Sequence, residues 1–237
     1  MNITPDTYVA TLATRHPGTL RVFQRHGIDF CCGGKRPLAE ACAEHDLDFS
    51  ALQEELTRAM TPNDDDRNWD EAPLGELVDH IVERYHLRLR EDLPRLRAMA
   101  EKVLSVHGET HPDVLPDLAA TFRRLQAEME SHTQKEEMAL FPHIRHMDEP
   151  GREGSAPPLD DPIAMMEAEH TEVAQALAHL RDLTDGFEPP KGACTTFRGL
   201  YHGLAELEAD THRHIHLENN VLFPRALELA RSAVPAA

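Results

Sequence analysis

Two stretches of the chain repeat each other at metal-ligand spacing. The first is His132-Thr133-Gln134-Lys135-Glu136, followed by Leu140-Phe141-Pro142; the second is His214-Ile215-His216-Leu217-Glu218, followed by Leu222-Phe223-Pro224. In both, Glu stands four residues after His, and Phe-Pro follows nine and ten after it. A four-residue step puts the imidazole and the carboxylate one turn apart on one helical face, so both can reach a single metal centre. A further histidine precedes each copy, His86 by 46 residues and His170 by 44. Four His and two Glu on four helices read as an inward-facing dinuclear metal site.

The rest of the chain supports a helical host for that repeat. From Leu74 onward the apolar period is helical almost throughout, in segments of about Leu74–His107, Pro112–Ile144, Pro162–Leu183 and Cys194–Ala230. Pro94 is expected to kink the first. The Gly/Pro/Ser-rich span Asp148–Asp161 is a loop between the two halves. Four long helices with one longer connection describe a four-helix bundle over 74–232. Residues 1–58 form a small helical module with Cys31 and Cys32, in which Ser50 and Gln53 are expected to cap the last helix. Residues 59–73, with Pro62, Asn63 and three consecutive Asp, read as a linker. The fold class is all-α.

Helical faces select among the histidines. His170 lies in the middle of a stripe formed by Ile163, Met166, Val173, Ala174 and Leu177, an expensive place for an imidazole without a partner. In the first segment His80 falls opposite the apolar stripe, whereas His86 falls at its edge, near Val82 and Leu93. His132 shares a face with Leu125, Met129 and Leu140; His214 shares one with Leu207, Leu217 and Val221. Glu128 and Asp210 each precede a repeat His by four and are candidates to take its second N–H. Glu169 either lines the site or faces solvent. A lone His–Glu pair is ordinarily a solvated surface pair; two copies with the same tail and an inward His are not. The other histidines fit no such symmetry, with His107 and His216 the expected exceptions.

Imidazole and carboxylate suit Zn, Fe, Mn and Ni, so ligand type alone does not decide the metal. A His-rich pair of metals bridged by Glu136 and Glu218, with an oxo or hydroxo bridge and an open position, points to two Fe ions. The chemistry open to such a site is O₂, NO or peroxide binding, electron transfer, or release of iron. The net charge of −18 disfavours nucleic acid and anionic membranes. No apolar run is long enough for a membrane span, and no signal-peptide pattern opens the chain, so a cytoplasmic protein is expected. Four cysteines make no disulfide framework and read as reduced thiols.

Asp29-Phe30-Cys31-Cys32-Gly33-Gly34, Arg84-Tyr85-His86, Glu167-Ala168-Glu169-His170 and His214-x3-Glu218-Asn219-Asn220-Val221-Leu222-Phe223-Pro224 together resemble the repair-of-iron-centres family. The resemblance covers nearly the whole chain. It implies a hemerythrin-like bundle whose iron pair is held by His86, His132, Glu136, His170, His214 and Glu218, the set the faces select. It also implies a bacterial cytoplasmic protein, proteins with damaged iron–sulfur clusters as partners, and room for a homodimer. Three functions follow as expectations: repair by supplying iron or electrons, an NO reductase forming N₂O, and a reversible O₂ or NO sensor or carrier. Whether the chain is an enzyme stays open. Cys31 and Cys32 have two readings. One is a buried turn. The other is a reactive or metal-holding thiol pair, acidified by a nearby helix N-terminus and by Lys35 and Arg36. Cys42 and Cys194 are expected to pack as small apolar residues.

Overall fold

A computed structural model describes residues 3–60, 67, 69–148 and 158–232. Its regular structure among these residues is helical, with an isolated antiparallel bridge between Tyr8 and Pro37. The fold is all-α, as the apolar period requires. The chain divides into two compact units: Met1–Leu77 with Met147–Leu159 and His212–Ala237, and Val78–His146 with Asp160–Thr211.

The first unit begins with α1 (Val9–Arg15), a 3₁₀ turn at Pro17–Thr19, α2 (Leu20–Arg25), α3 (Leu38–Glu44) and α4 (Phe49–Ala59). The cap of α4 differs from expectation. Asp48, not Ser50, is the N-cap, and its carboxylate accepts from the Ala51 N–H at 2.9 Å. A charged acceptor at the helix start is favoured by the helix dipole as well as by the hydrogen bond. Gln53 reaches the Ile3 carbonyl at 2.7 Å instead of closing a capping box. The core of this unit is Leu12, Phe23, Ile28, Phe30, Leu38, Leu52 and Leu56. Residues 61–66 and 68 of the expected linker lie outside the described residues. At its end, the Arg225 guanidinium donates to the Trp69 and Ala72 carbonyls, both at 2.7 Å.

Four long helical segments run through the second unit, and three of them have an end that belongs to the first. Here α5 (Leu74–Ile81) runs through a π turn, Val82–His86, into α6 (Leu87–His107). In the same way α7 (Leu115–Lys135) passes through a π turn, Glu136–Leu140, into α8 (Phe141–Asp148). They are followed by α9 (Asp160–Leu183) and α10 (Thr195–Leu217); α10 continues through a third π turn, Glu218–Leu222, into α11 (Phe223–Ser232). The expected loop between α8 and α9 lies mostly outside the described residues. Helix α6 packs on α7, and α7 on α9. Arg181 of α9 pairs with the buried Glu208 of α10, and Gly203 of α10 lets that helix settle against Leu96 of α6. The four helices therefore close on one another around Leu93, Leu96, Phe122, Leu125, Leu177 and Leu204. Pro94 sits inside a continuous α6; the departure from α geometry comes before it, at Val82–His86.

Candidate metal centre

Each π turn widens the helix by about one residue, and each carries one of the predicted ligands. The N–H of Leu87 bonds to the Val82 carbonyl, that of Phe141 to Glu136, and that of Phe223 to Glu218, all five residues back. On a straight helix Phe141 would lie about 180° from His132, facing away from the ligands. An inserted residue takes up about 100° of that, and Phe141 is buried and stacked on the His86 ring at 5.6 Å between centroids. The same shift explains His86. At the edge of the stripe on a straight helix, it is only 1% exposed at the end of its π turn.

In the second unit three imidazoles surround one carboxylate. Glu136 has no exposed surface, and neither of its oxygens accepts a hydrogen bond. His86 Nε2 stands 3.4 Å from its Oε2, and His132 Nε2 3.3 Å from its Oε1. His170 Nε2 faces His132 Nε2 at 2.9 Å, and ligating atoms of His132, Glu136 and His170 all lie within 4.8 Å of one another. The opposite edges of two rings are occupied. His86 Nδ1 donates to Glu137 at 2.8 Å, and His132 Nδ1 donates to Glu169 at 2.8 Å. With the proton held on Nδ1, each ring turns an Nε2 lone pair inward. A carboxylate without donors, set among imidazole nitrogens, is a costly burial for a protein alone and a fitting cage for a cation.

Burial raises the Glu137 carboxyl, but hydrogen bonds from Arg90 and His86 outweigh it, and its pKa lies below the usual glutamate value. Glu169 behaves alike: burial pushes it up, and Lys135 and His132 bring it below. Both therefore stay ionised and keep the imidazole protons. These roles were expected of Glu128 and Asp210. Glu128 instead sits by Arg124 at 3.9 Å, and Asp210 pairs with Arg88 at 2.8 Å and Arg84 at 3.7 Å. Spacing within one helix could not find Glu137, because it serves a histidine 51 residues away.

The first unit holds the second copy of the repeat. His214 Nε2 lies 2.9 Å from Glu218 Oε1, with His214 2% exposed and Glu218 fully buried. As in the first copy, Glu opens the π turn and Phe-Pro follows it. Proline has no N–H to donate and crowds the carbonyl four residues back, which a widened turn tolerates. The Leu-Phe-Pro tail was thus a signal for the π turn.

The Cys31–Cys32 loop is built around Asp29. Its carboxylate accepts from the N–H groups of Cys31 (2.9 Å), Cys32 (3.0 Å) and Gly33 (2.8 Å), and from the Cys31 thiol (3.3 Å). The two sulfurs are 3.7 Å apart, with Cys31 buried and Cys32 half-buried, and both are free thiols. The expected acidification of the pair is overturned at Cys31. Its hydrogen bond to Cys32, its burial and the Asp29 charge hold its pKa well above the ordinary thiol value. The loop N–H groups are spent on Asp29, and the Arg36 guanidinium is paired with Glu44. Of the other cysteines, Cys42 is buried as expected, whereas Cys194 is exposed, 3.4 Å from His107 Nε2.

The same loop is held by residues flanking Glu218. His216 is 1% exposed and its Nδ1 meets the Phe30 carbonyl at 3.1 Å. Asn220 Nδ2 donates to the Cys31 carbonyl at 3.0 Å and to Phe30 at 3.3 Å, and Asn219 Nδ2 to Cys31 at 3.4 Å. Burial lowers the His216 pKa to about 4, so the ring is neutral at pH 7. His216 was among the expected exceptions; the two asparagines were not singled out as contacts.

Comparison with known proteins agrees with this architecture. The hemerythrin HHE cation binding domain matches residues 77–226, a stretch containing all six predicted ligands, and the ScdA_N domain, of unknown function, matches 5–60. An iron–sulfur cluster repair protein, YtfE, of Yersinia pseudotuberculosis serotype IB (strain PB1/+) is 43% identical over 219 residues, covering 92% of this chain and 96% of that protein. YtfE of Yersinia pestis (strain Pestoides F) matches with the same identity and coverage. With a ScdA_N module at its N-terminus and a hemerythrin HHE domain behind it, this chain belongs to the hemerythrin-like family of YtfE iron–sulfur cluster repair proteins.

Proposed function

We propose that this chain repairs iron–sulfur clusters damaged by oxidative or nitrosative stress, and that His86, His132, Glu136, His170, His214 and Glu218 together hold two irons. Glu136 carries the reading: a fully buried carboxylate with no hydrogen bond, between two imidazole Nε2 atoms. Glu136 and Glu218, in equivalent places of the repeat, would supply the carboxylate ligands. Bound iron supplies the metal a depleted cluster has lost, or the electrons its reassembly needs.

The protein's own part is preparation. Glu137 and Glu169 hold the Nδ1 protons of His86 and His132, and Arg90 and Lys135 keep those carboxylates charged. The Phe141 ring covers His86 and excludes water from it. Cys31 and Cys32, in the module 1–58 ahead of a linker over 59–73 and the bundle over 74–232, are the thiols that meet the client. Cys31 is protonated at neutral pH and loses its proton only where a cation or a client offsets the cost. Small ligands of the centre are NO or O₂. No described helix is long and apolar enough to cross a membrane, and we place the protein in the cytoplasm.

The test is restoration of a cluster enzyme inactivated by NO or peroxide. Iron-loaded protein restores it, and Glu136→Leu does not. Restoration that survives removal of the iron refutes the reading. Formation of N₂O in a single turnover by the reduced, NO-treated protein, without restoration, replaces it with NO reduction.

A further inference from the structure

The Cys31–Cys32 loop and the turn that carries Glu218 are fastened to each other by side chains that neither bind metal nor carry a thiol. On one side, Phe30 and Cys31 present two successive carbonyls. On the other, His216, Asn219 and Asn220 stand on both flanks of Glu218 and meet those carbonyls at 3.0–3.4 Å. Phe30 adds an edge-to-face contact with the His216 ring at 5.7 Å and one with His212 at 6.2 Å. Thr14 of α1 approaches the far nitrogen of His216 at 3.4 Å, and Arg213 reaches Gln24 of α2 at 3.4 Å.

This is more attachment than packing requires. The Phe30 and Cys31 carbonyls belong to a loop whose N–H groups are already held by Asp29, so both edges of its backbone are fixed. The partners on the helix are spaced at 216, 219 and 220, the face one turn wide that brackets Glu218 from both sides. A displacement of the loop by one hydrogen-bond length must either break these contacts or turn the segment that bears Glu218.

We propose that Asn220, with His216 and Asn219, acts as a positioning clasp that couples the Cys31–Cys32 loop to Glu218, so that occupation of the metal centre and the accessibility of the thiols control each other. The clasp rests on Glu218 being a ligand, as proposed above. When metal fixes the Glu218 carboxylate, the turn is held, the Phe30 and Cys31 carbonyls stay clasped, and Cys32 is shielded. When metal leaves, the clasp alone holds the loop, and the thiols open to a client more often. Coupling of this kind is reciprocal, so engagement of the thiols weakens the hold on metal by the same factor. A centre that gives up iron when its thiols meet a client needs such a link.

The experiment uses the full chain, with Asn220→Leu to remove both donors at nearly constant volume and Asn220→Ala beside it as the variant demanding least space. Alkylation of Cys32 by iodoacetamide is followed on its own peptide, anaerobically, without metal and with Fe(II), with bound iron measured in the same samples. Fe(II) is expected to slow Cys32 alkylation about fivefold or more in the parent chain, and less than about twofold in either variant. A merely structural role would change the rate equally with and without iron. Slowing of the same size in parent and variants, or no slowing in an iron-loaded parent, overturns the clasp. Should no iron bind, the proposed centre fails on its own. The clasp is then decided by amide exchange at Cys31 and Cys32 in the metal-free chain, expected to be about tenfold faster in the variants. Unchanged exchange overturns it.

Discussion

Glu136 predicts an inversion of sign between the metal-free and metal-loaded protein. Without metal, its side chain is fully buried and neither oxygen receives a hydrogen bond. Its carboxylate is thus buried with no donor to offset the loss of water. An unsatisfied buried polar group costs about 1–3 kcal/mol, and replacing a buried charged set with an apolar residue of similar volume commonly returns about 1–4 kcal/mol. Glu136→Leu is therefore expected to stabilise the metal-free chain by roughly 2 kcal/mol. In a domain of about 150–250 residues that is a rise in Tm of roughly 4–8 °C. In the metal-loaded protein the same change removes one of the proposed ligands and the binding energy that comes with it. The assay is thermal unfolding of parent and variant, each stripped of metal and each loaded, with iron content measured. Parent and variant should exchange rank between the two conditions. A metal-free Glu136→Leu chain less stable than the parent by about 1 kcal/mol or more would refute the reasoning, since Glu136 would then stabilise the fold without metal.

Three further outcomes follow from the loop and the bundle. Asp29→Ala removes the acceptor for three N–H groups and a thiol and one of the charges that raise Cys31, so Cys31 alkylation should begin at lower pH and the loop amides should lose protection from exchange. Gly34→Ala places a methyl 2.6 Å from the Phe30 carbonyl oxygen, which is backbone, and should cost about 1–3 kcal/mol by urea unfolding. Gly203→Ala meets only the tip of Leu96, which can turn aside, and should cost less. His216 governs acid stability of the metal-free protein. Burial gives it a folded pKa of about 4 against about 6.5 unfolded, so between those values the unfolded chain holds a proton the folded chain does not. Stability is then fully present above about pH 6.5 and falls by roughly 3 kcal/mol as pH drops to about 4, and His216→Gln should flatten that slope in urea titrations.

What the sequence made legible was whatever depends on one helix at a time. Straight-helix faces turned His86, His132, His170 and His214 inward and left His80 outside, and the first four are 5% exposed or less. Features joining separate elements were not legible. Glu137 reaches across to His86, Glu169 to His132, and Asn220 to Cys31, and no periodicity reports such pairs. The Cys loop misled for a related reason: Lys35 and Arg36 stand next in sequence, yet Asp29 is the charge that faces the thiol.

The π turns join the two kinds of information. Taken alone, Phe nine residues after His contradicts an amphipathic helix, because it places a large apolar ring opposite the ligands. Two copies of that contradiction, each followed by Pro, indicate that the helix and not the pattern is irregular. The step from His132 to Glu136 keeps ordinary α geometry, with the Glu136 N–H still bonded to the His132 carbonyl, and the widening begins at Glu136 itself. The repeat thus places His and Glu on a regular turn and then rotates the chain by about one residue. Leu140 and Phe141, or Leu222 and Phe223, are thereby brought back into the core. A strict α continuation would give up either the inward carboxylate or the buried Phe. The widened turn keeps both, and so it recurs wherever the repeat does.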